Sequence, residues 1–333
     1  MMSGDDGLIK ILKDSGDDEA DLDLKILCEE LTGEALEKAV MRRASGEPLA
    51  YILGFRHFYK ECYKVCPGVL IPRGDTEIVV ESALKYLGIN KMAMGDVINV
   101  PSSDVAPTDV RFADLCTGSG CIGISLANEL IRANINVRGF LADISDTAIA
   151  TATDNAGSQC LDPGCLNVIK CDVLNSVPDI GALDLIMSNP PYITNDEMNA
   201  LDSVVKDFEP DLALRAGDDG MDFYAPLVSA ANKLLRPGGA LIVEHGCDQG
   251  DLVREVFEQG GLRNCMTIRD YGSNPRATLE SSNISFQILR YADVTSVNVL
   301  ENKLSVCTHA LCGIGIRKIF DDLDSVTGNL VVK

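Results

Sequence analysis

The segment Asn189-Pro190-Pro191-Tyr192 follows the apolar run Leu183–Ser188, and its residue types suit the holding of a planar –NH2 group. The Asn189 side-chain oxygen and the Pro190 carbonyl together can accept both hydrogens of such a group. The two prolines fix φ and remove two N–H donors, so carbonyls stay free to point into a crevice. Pro191 completes the wall, and Tyr192 offers a ring to stack on or flank the acceptor. Hydrogen bonds of this kind hold the nitrogen, draw its lone pair out of conjugation and aim it at a methyl donor for in-line displacement. A Pro-rich turn without chemistry is the plain alternative.

A second stretch reads Asp114-Leu115-Cys116-Thr117-Gly118-Ser119-Gly120-Cys121-Ile122-Gly123 and leads into a helical Ile124–Ile131. Gly118 and Gly120 let the backbone turn sharply and approach a ligand, with Thr117 and Ser119 beside them, and the helix N–H groups beyond favour polar or anionic groups. The same glycines with Gly123 satisfy the literal G-x-G-x-x-G fingerprint, so a nicotinamide or flavin oxidoreductase is a rival. Asp143, with Ile144, ends the next strand and suits a ribose diol in either cofactor. Asp114 favours a loop that binds an amino acid's ammonium, because like charge beside a pyrophosphate is unfavourable. Asp172 ends a third strand, where it can accept from an adenine amino group while Val173 packs on the ring; a helix N-cap is its structural alternative.

These residues need a scaffold. Short apolar runs at Val110–Leu115, Val137–Leu141, Asn167–Lys170, Leu183–Met187 and Ala240–Val243 alternate with helical stretches, the βαβ signature of an α/β, doubly wound, Rossmann-like sheet. Met266–Arg269 and Ile284–Leu289 are expected to add a closing antiparallel pair. Upstream, the acids of Met1–Asp23 read as a solvated start and Leu24–Ala44 as two short helices broken at Thr32-Gly33. Gly46-Glu47-Pro48 ends that pattern. Phe58–Val65 and Val69–Ile71 around Pro67-Gly68 predict a hairpin, followed by a helix over Thr76–Leu87 and a surface loop over Gly88–Asp109. The expected division is a small helical domain over 1–54, a hairpin linker over 55–75, a catalytic domain over 76–290 and an extension over 291–333, with a helix near Ile316–Leu323.

Composition excludes several classes. The chain has 333 residues, 46% hydrophobic and 24% charged, and a formal net charge of −21. So acidic a protein is not expected to bind nucleic acid stably, because affinity for phosphates comes from Lys and Arg. Twelve cysteines are scattered with no leader at Met1–Leu12, so they read as structural thiols in a reducing cytoplasm. Cys160, Cys165 and Cys171 lack C-x-x-C spacing, and His57, His245 and His309 lie far apart, so no metal site is expected. No apolar run approaches the ~20 residues a membrane helix needs.

Taken together, these motifs resemble the amino-methyltransferases with an Asn-Pro-Pro-Tyr motif, and within them the release-factor glutamine methyltransferases of the HemK/PrmC type. The resemblance is carried by Gly46-Glu47-Pro48 with Tyr51–Gly54, Val69–Arg73 with Asp75–Glu77, Asp114–Gly120, Ala142–Ser145, Asn189–Tyr192, Asp219–Asp222, Arg236–Gly239 and Glu244-His245-Gly246. It implies a class I methyltransferase domain that uses S-adenosylmethionine, behind a helical domain that helps recognise a peptide chain release factor. It also implies the glutamine of the release factor's Gly-Gly-Gln loop as acceptor. Gly118, Asp143 and Asp172 would then contact the cofactor, Asn189, Pro190 and Tyr192 the glutamine, and Arg73 would lie near the domain junction. Gly74 stands where the family usually has proline. The alternatives are a ribosomal-protein glutamine methyltransferase, a DNA amino-methyltransferase, which would have to flip its base, and a non-catalytic cofactor-binding scaffold.

Overall fold

The structure, a computed structural model, describes residues 5–89, 107–201 and 203–281. Most of the Gly88–Asp109 loop, the run Ile284–Leu289, the helix expected near Ile316–Leu323 and the 291–333 extension lie outside the described residues.

The amino-terminal part is helical: α1 (Asp5–Asp14), α2 (Ala20–Glu30), α3 (Gly33–Ala44) and the short α4 (Leu49–Leu53) pack around Leu12, Leu24, Leu27 and Val40. The expectation of a solvated start to Asp23 is corrected here. Leu12 is fully buried, and Arg43 of α3 binds both Asp17 and Asp23, so two of the acids are drawn inward by a cation 20 or more residues away. Burial raises the Asp23 carboxyl above its ordinary pKa, against the opposing pull of Arg43.

The hairpin also differs from expectation. Strands β1 (Phe55–Phe58) and β2 (Glu61–Lys64) pair antiparallel, Phe55 opposite Lys64 and Phe58 opposite Glu61. The turn falls at Tyr59-Lys60, where Tyr59 takes φ +57 without the Gly or Asn that usually marks such a turn. Pro67-Gly68 instead begins an irregular segment, and the hydroxyl of Tyr51 on α4 donates to its Val69 carbonyl at 2.6 Å.

A 3-10 turn, Gly74–Thr76, leads into α5 (Glu77–Tyr86). Then follow β3 (Asp109–Leu115), α6 (Cys121–Arg132), β4 (Asn136–Asp143), α7 (Asp146–Gln159), β5 (Leu166–Lys170), β6 (Leu183–Ser188), α8 (Asn195–Ala200), α9 (Ser203–Phe208), α10 (Tyr224–Leu234), β7 (Leu235–Glu244), α11 (Gly250–Gln259), β8 (Met266–Arg269) and β9 (Pro275–Ser281). The sheet order is β5-β4-β3-β6-β7-β9-β8. Pairs from β5 through β7 are parallel, while β9 runs antiparallel to both β7 and β8. This is the α/β arrangement of class I methyltransferases; the antiparallel insertion departs from the all-parallel order of dinucleotide-binding folds.

The closing partner of β8 is therefore Pro275–Ser281. Both of its faces are buried, Ala277 and Leu279 on one and Thr278 and Glu280 on the other, and the two polar residues hide the strand from a search for apolar runs. Helices cover both faces of the sheet, one core gathering Ile78, Leu84, Ile124, Leu126 and Leu130 and the other Leu183, Ile186, Tyr224, Leu227 and Phe257. Among the described residues no helix is long and apolar enough to cross a membrane.

Candidate active site

The chain reverses its direction across the sheet between β3 and β6, and the crevice beyond the carboxyl ends of such strands is where α/β sheets bind ligands. A cleft of about 350 Å³ opens there. Residues after four strands reach it: Cys116–Ser119 after β3, Asp143–Ser145 from β4, Cys171–Leu174 after β5, and Asn189 with Pro191 after β6.

The glycine loop is held from two sides. Gly118 at φ +55 and Gly120 at φ +85 occupy left-handed backbone, which glycine adopts without the cost of a Cβ. Cys116 adopts φ +60, an uncommon conformation for a side-chain-bearing residue that frequently marks functional loops. Gly118 N–H donates to Asp143 Oδ2 at 2.9 Å, and Ser145 N–H to Asp143 Oδ1 at 3.0 Å. Each carboxylate oxygen keeps lone-pair capacity toward the cleft. Burial raises the Asp143 carboxyl pKa, while the two amides oppose the rise. Asp172 also lines the cleft, accepting from Leu174 N–H at 3.0 Å and Asn175 Nδ2 at 2.6 Å, with Val173 beside it.

Asp114 is placed otherwise. It is fully buried beneath the loop, where Oδ2 accepts from Thr117 Oγ1 at 2.6 Å and from Gly123 N–H at 3.0 Å. Among the described residues its Oδ1 has no hydrogen-bond partner, and burial raises its pKa to about 7. Asp114 thus braces the loop from below and is not among the cleft-lining residues. Gly120 is likewise turned inward, where an added Cβ would press on Ile124.

The Asn189–Tyr192 turn borders two cavities. Asn189 and Pro191 face the cleft, whereas Tyr192 lines a neighbouring cavity of about 400 Å³ with Ile193, Gly246, Gln249 and Arg276. Pro190 is buried between them. Asn189 Nδ2 donates to Thr76 Oγ1 at 3.2 Å, which leaves the side-chain oxygen available as an acceptor. Tyr192 donates to Glu244 Oε1 at 3.4 Å, and Gln249 Nε2 donates to the Tyr192 carbonyl at 2.9 Å.

Several wall residues come from outside the loops after the strands. Val69, Leu70, Pro72 and Arg73 reach the cleft from the segment after the hairpin, and Leu212, Ala213 and Phe223 from the region before α10. Arg73 pairs with the buried Glu209, tying the first group to the second. Thr76 and Glu244 lie in stretches that carry the family resemblance, Asp75–Glu77 and Glu244-His245-Gly246, but the sequence assigns no role to either; the signal that could have singled out Glu244 is an acid at the carboxyl end of a central strand.

The geometry fits S-adenosylmethionine. Its nucleoside needs acceptors for hydroxyl and amino hydrogens, which the Asp143 and Asp172 carboxylates provide, and apolar walls, which Leu70, Ile122, Val173 and Leu174 provide. The volume lies within the range of small-molecule sites.

The family model "Methyltransferase small domain" matches residues 97–211. The chain is 38% identical over 250 residues to the release factor glutamine methyltransferase of Pasteurella multocida (strain Pm70), covering 74% of this chain and 79% of that one. It is 36% identical over 242 residues to the enzyme of the same name from Haemophilus influenzae (strain ATCC 51907 / DSM 11121 / KW20 / Rd), covering 72% and 77%. A solved structure of a release factor-specific protein-(glutamine-N5) methyltransferase from Alicyclobacillus acidocaldarius aligns with TM-score 0.34 and 22% identity, over 66% of this chain and 99% of that one.

Proposed function

The chain belongs to the release factor glutamine methyltransferases, enzymes that use S-adenosylmethionine, and from that premise we propose that its acceptor is the glutamine of a release factor's Gly-Gly-Gln loop, held by the Asn189–Tyr192 turn. The observation that carries this reading is the hydrogen bond from Asn189 Nδ2 to Thr76, which turns the amide oxygen of Asn189 outward as an acceptor.

S-adenosylmethionine supplies the electrophilic methyl of its sulfonium. Gly118, with Thr117 and Ser119, would hold it from the loop, Asp143 with Ile144 from the end of β4, and Asp172 with Val173 from beyond β5. Asn189 Oδ1 and the Pro190 carbonyl would accept the two amide hydrogens of the glutamine, which weakens conjugation of its lone pair and orients the nitrogen. Tyr192 borders the second cavity, which gives the glutamine a separate approach to the same turn. Methylation leaves the acceptor nitrogen with a positive charge, which is relieved when one of its protons passes to solvent water, and the acceptors on Asn189 and Pro190 are suited to tolerate that charge until it does.

Helices α1–α4 and the hairpin would contribute to recognition of the release factor, since Tyr51 anchors the very segment that walls the cleft. A protein partner suits a chain of net charge −21 better than a nucleic acid does, because contacts to phosphate depend on Lys and Arg. We place the enzyme in the cytoplasm, where its substrate works.

A methyl-transfer assay with purified release factor, a release factor variant altered at the loop glutamine, a ribosomal protein and duplex DNA tests the reading. Transfer to the release factor alone, abolished by the loop change, is expected. Transfer to DNA or to the ribosomal protein in its place overturns it.

A further inference from the structure

Asn189 can hold an acceptor amide only in one of its two flip states. With Oδ1 outward it accepts a hydrogen; with Nδ2 outward it presents a donor to a donor and repels the same group. A side-chain amide has no intrinsic preference between these states, so a neighbouring group of fixed polarity must choose. Thr76, nearly fully buried at 2% exposure, receives the Asn189 Nδ2–H. A hydroxyl, however, is itself ambiguous, able to donate or to accept. Something must claim its proton.

Glu244, at the carboxyl end of β7, is the group placed to do so. It is 1% exposed and sits beside Thr76; its Oε1 accepts from Tyr192 at 3.4 Å, and its Oε2 has no hydrogen-bond partner among the described residues. An ionised carboxylate has acceptors only, so the unpartnered oxygen can take the Thr76 proton; the Thr76 oxygen then stays an acceptor toward Asn189, and Asn189 Oδ1 is left free. The order of donors would run one way, from Asn189 Nδ2 to Thr76 to Glu244, and Tyr192 joins the same anchor from the other end of the turn.

We infer that Glu244, acting through Thr76, is a positioning residue that sets the flip state of Asn189 and the seat of Tyr192 for methyl transfer. The inference rests on the role proposed for Asn189 above. Protonated, or replaced by glutamine, the group at position 244 can donate to Thr76, whose hydroxyl is then free to turn its hydrogen toward Asn189 and reverse the amide. The state of Glu244 is set by groups from every packed element. Asp75 beside Thr76 is paired to Arg276 of β9 at 3.2 Å, the Arg276 charge favours the carboxylate and Asp75 opposes it, Tyr192 and the Tyr224 hydroxyl of α10 adjoin it, and neutral His245 follows in sequence with its pKa lowered by burial. Burial dominates and raises Glu244 to about 7, so its ionisation falls in a range that an assay reaches.

The test measures single-turnover methyl transfer to release factor at saturating S-adenosylmethionine, from pH 6 to 8.5, for the full-length chain and for Glu244→Gln, Thr76→Val, Thr76→Ser and the Glu244→Gln/Thr76→Val double variant, with cofactor titrations alongside. Wild type should gain rate as pH rises through about 7. Glu244→Gln should lose roughly tenfold or more at pH 8 and lose that pH dependence, with cofactor affinity near wild type. Thr76→Val should fall similarly, Thr76→Ser should recover most of the rate, and the double variant should be no worse than the poorer single one. Should Glu244→Gln fail to fold, the Thr76→Val and Thr76→Ser pair still decides. Wild-type rate and pH profile in Glu244→Gln, a serine variant as slow as the valine one, or losses that multiply in the double variant overturn the inference alone. A wild-type chain inactive on release factor overturns the proposed function, and this inference with it.

Discussion

The Asp143 carboxylate accepts the Gly118 amide at 2.9 Å, so the end of β4 and the glycine loop after β3 form one unit rather than two independent walls. The same oxygen pair keeps capacity for a ligand hydroxyl, so a change at Asp143 tests the proposed cofactor wall and the loop together.

Replacing Asp143 with Ala should therefore weaken S-adenosylmethionine binding by roughly 1–3 kcal/mol, the range for losing a charge-assisted hydrogen bond together with loop order. Calorimetric titration measures it. An unchanged dissociation constant, or binding of NAD in place of S-adenosylmethionine, would remove Asp143 from the proposed site.

Asn189→Ala takes away the side-chain acceptor proposed for the glutamine –NH2 and leaves the Thr76 hydroxyl in place. Methyl transfer should slow by about 10²–10³, as when one preorganised polar contact to a transition state is removed, while cofactor affinity holds. Single-turnover rates paired with a cofactor titration separate the two. A loss confined to cofactor affinity would reassign the residue to the cofactor.

The difference between what could and could not be read from sequence follows from the distance over which partners act. Gly118, Asp143, Asp172 and Asn189 each stand just after a strand, and parallel strands bring their carboxyl ends to one edge, so local pattern alone predicts that they converge; the structure brings all four to one cleft. Thr76 lies 113 residues from Asn189, and nothing in the neighbourhood of either announces the pair. Asp114 looks like a site acid because it adjoins the glycines, yet Thr117 and Gly123 claim its carboxyl from within the same loop. The acids at Asp17 and Asp23 mislead for a related reason, since their cation, Arg43, comes from another helix. Strand β9 escapes a search for apolar runs because Thr278 and Glu280 are buried without being apolar.

Asn155 couples the hairpin to the glycine loop. It is fully buried on α7, accepts from Lys64 N–H at 2.8 Å, and donates to the carbonyls of Lys64 at 3.0 Å and Ser119 at 2.8 Å. Asn155→Ala leaves those backbone groups without their partner, and each orphaned buried group costs about 1–3 kcal/mol. Urea unfolding should show a loss of roughly 2–4 kcal/mol in total, and S-adenosylmethionine binding should weaken as Ser119 loosens. A stability within error of wild type would show that water replaces all three bonds.

Glu280 gives the stability a pH dependence whose sign is opposite to that of an ion-paired carboxylate. It sits on β9 at 1% exposure, its Oε1 accepts only a long 3.4 Å bond from Arg263 N–H, and its Oε2 has no hydrogen-bond partner among the described residues. Burial raises its pKa from 4.5 to about 7. The folded chain thus holds this proton more tightly than the unfolded chain does, so the stabilising contribution is complete below about pH 4.5 and is lost as pH rises through about 7. Glu280→Gln cannot ionise and keeps an acceptor for Arg263 N–H. It should match wild type near pH 4.5 and exceed it by about 2 kcal/mol at pH 8, because each tenfold gain in proton affinity on folding is worth about 1.4 kcal/mol and relaxation around the ionised group recovers part of the cost. Some slope should persist in the variant, because burial also raises Asp114 and Glu244 to about 7. Urea unfolding at several pH values between 4.5 and 8 reads the difference directly. If the gap between variant and wild type is constant across that range, Glu280 does not change its protonation between the folded and unfolded chain, and the pH dependence comes from other buried acids.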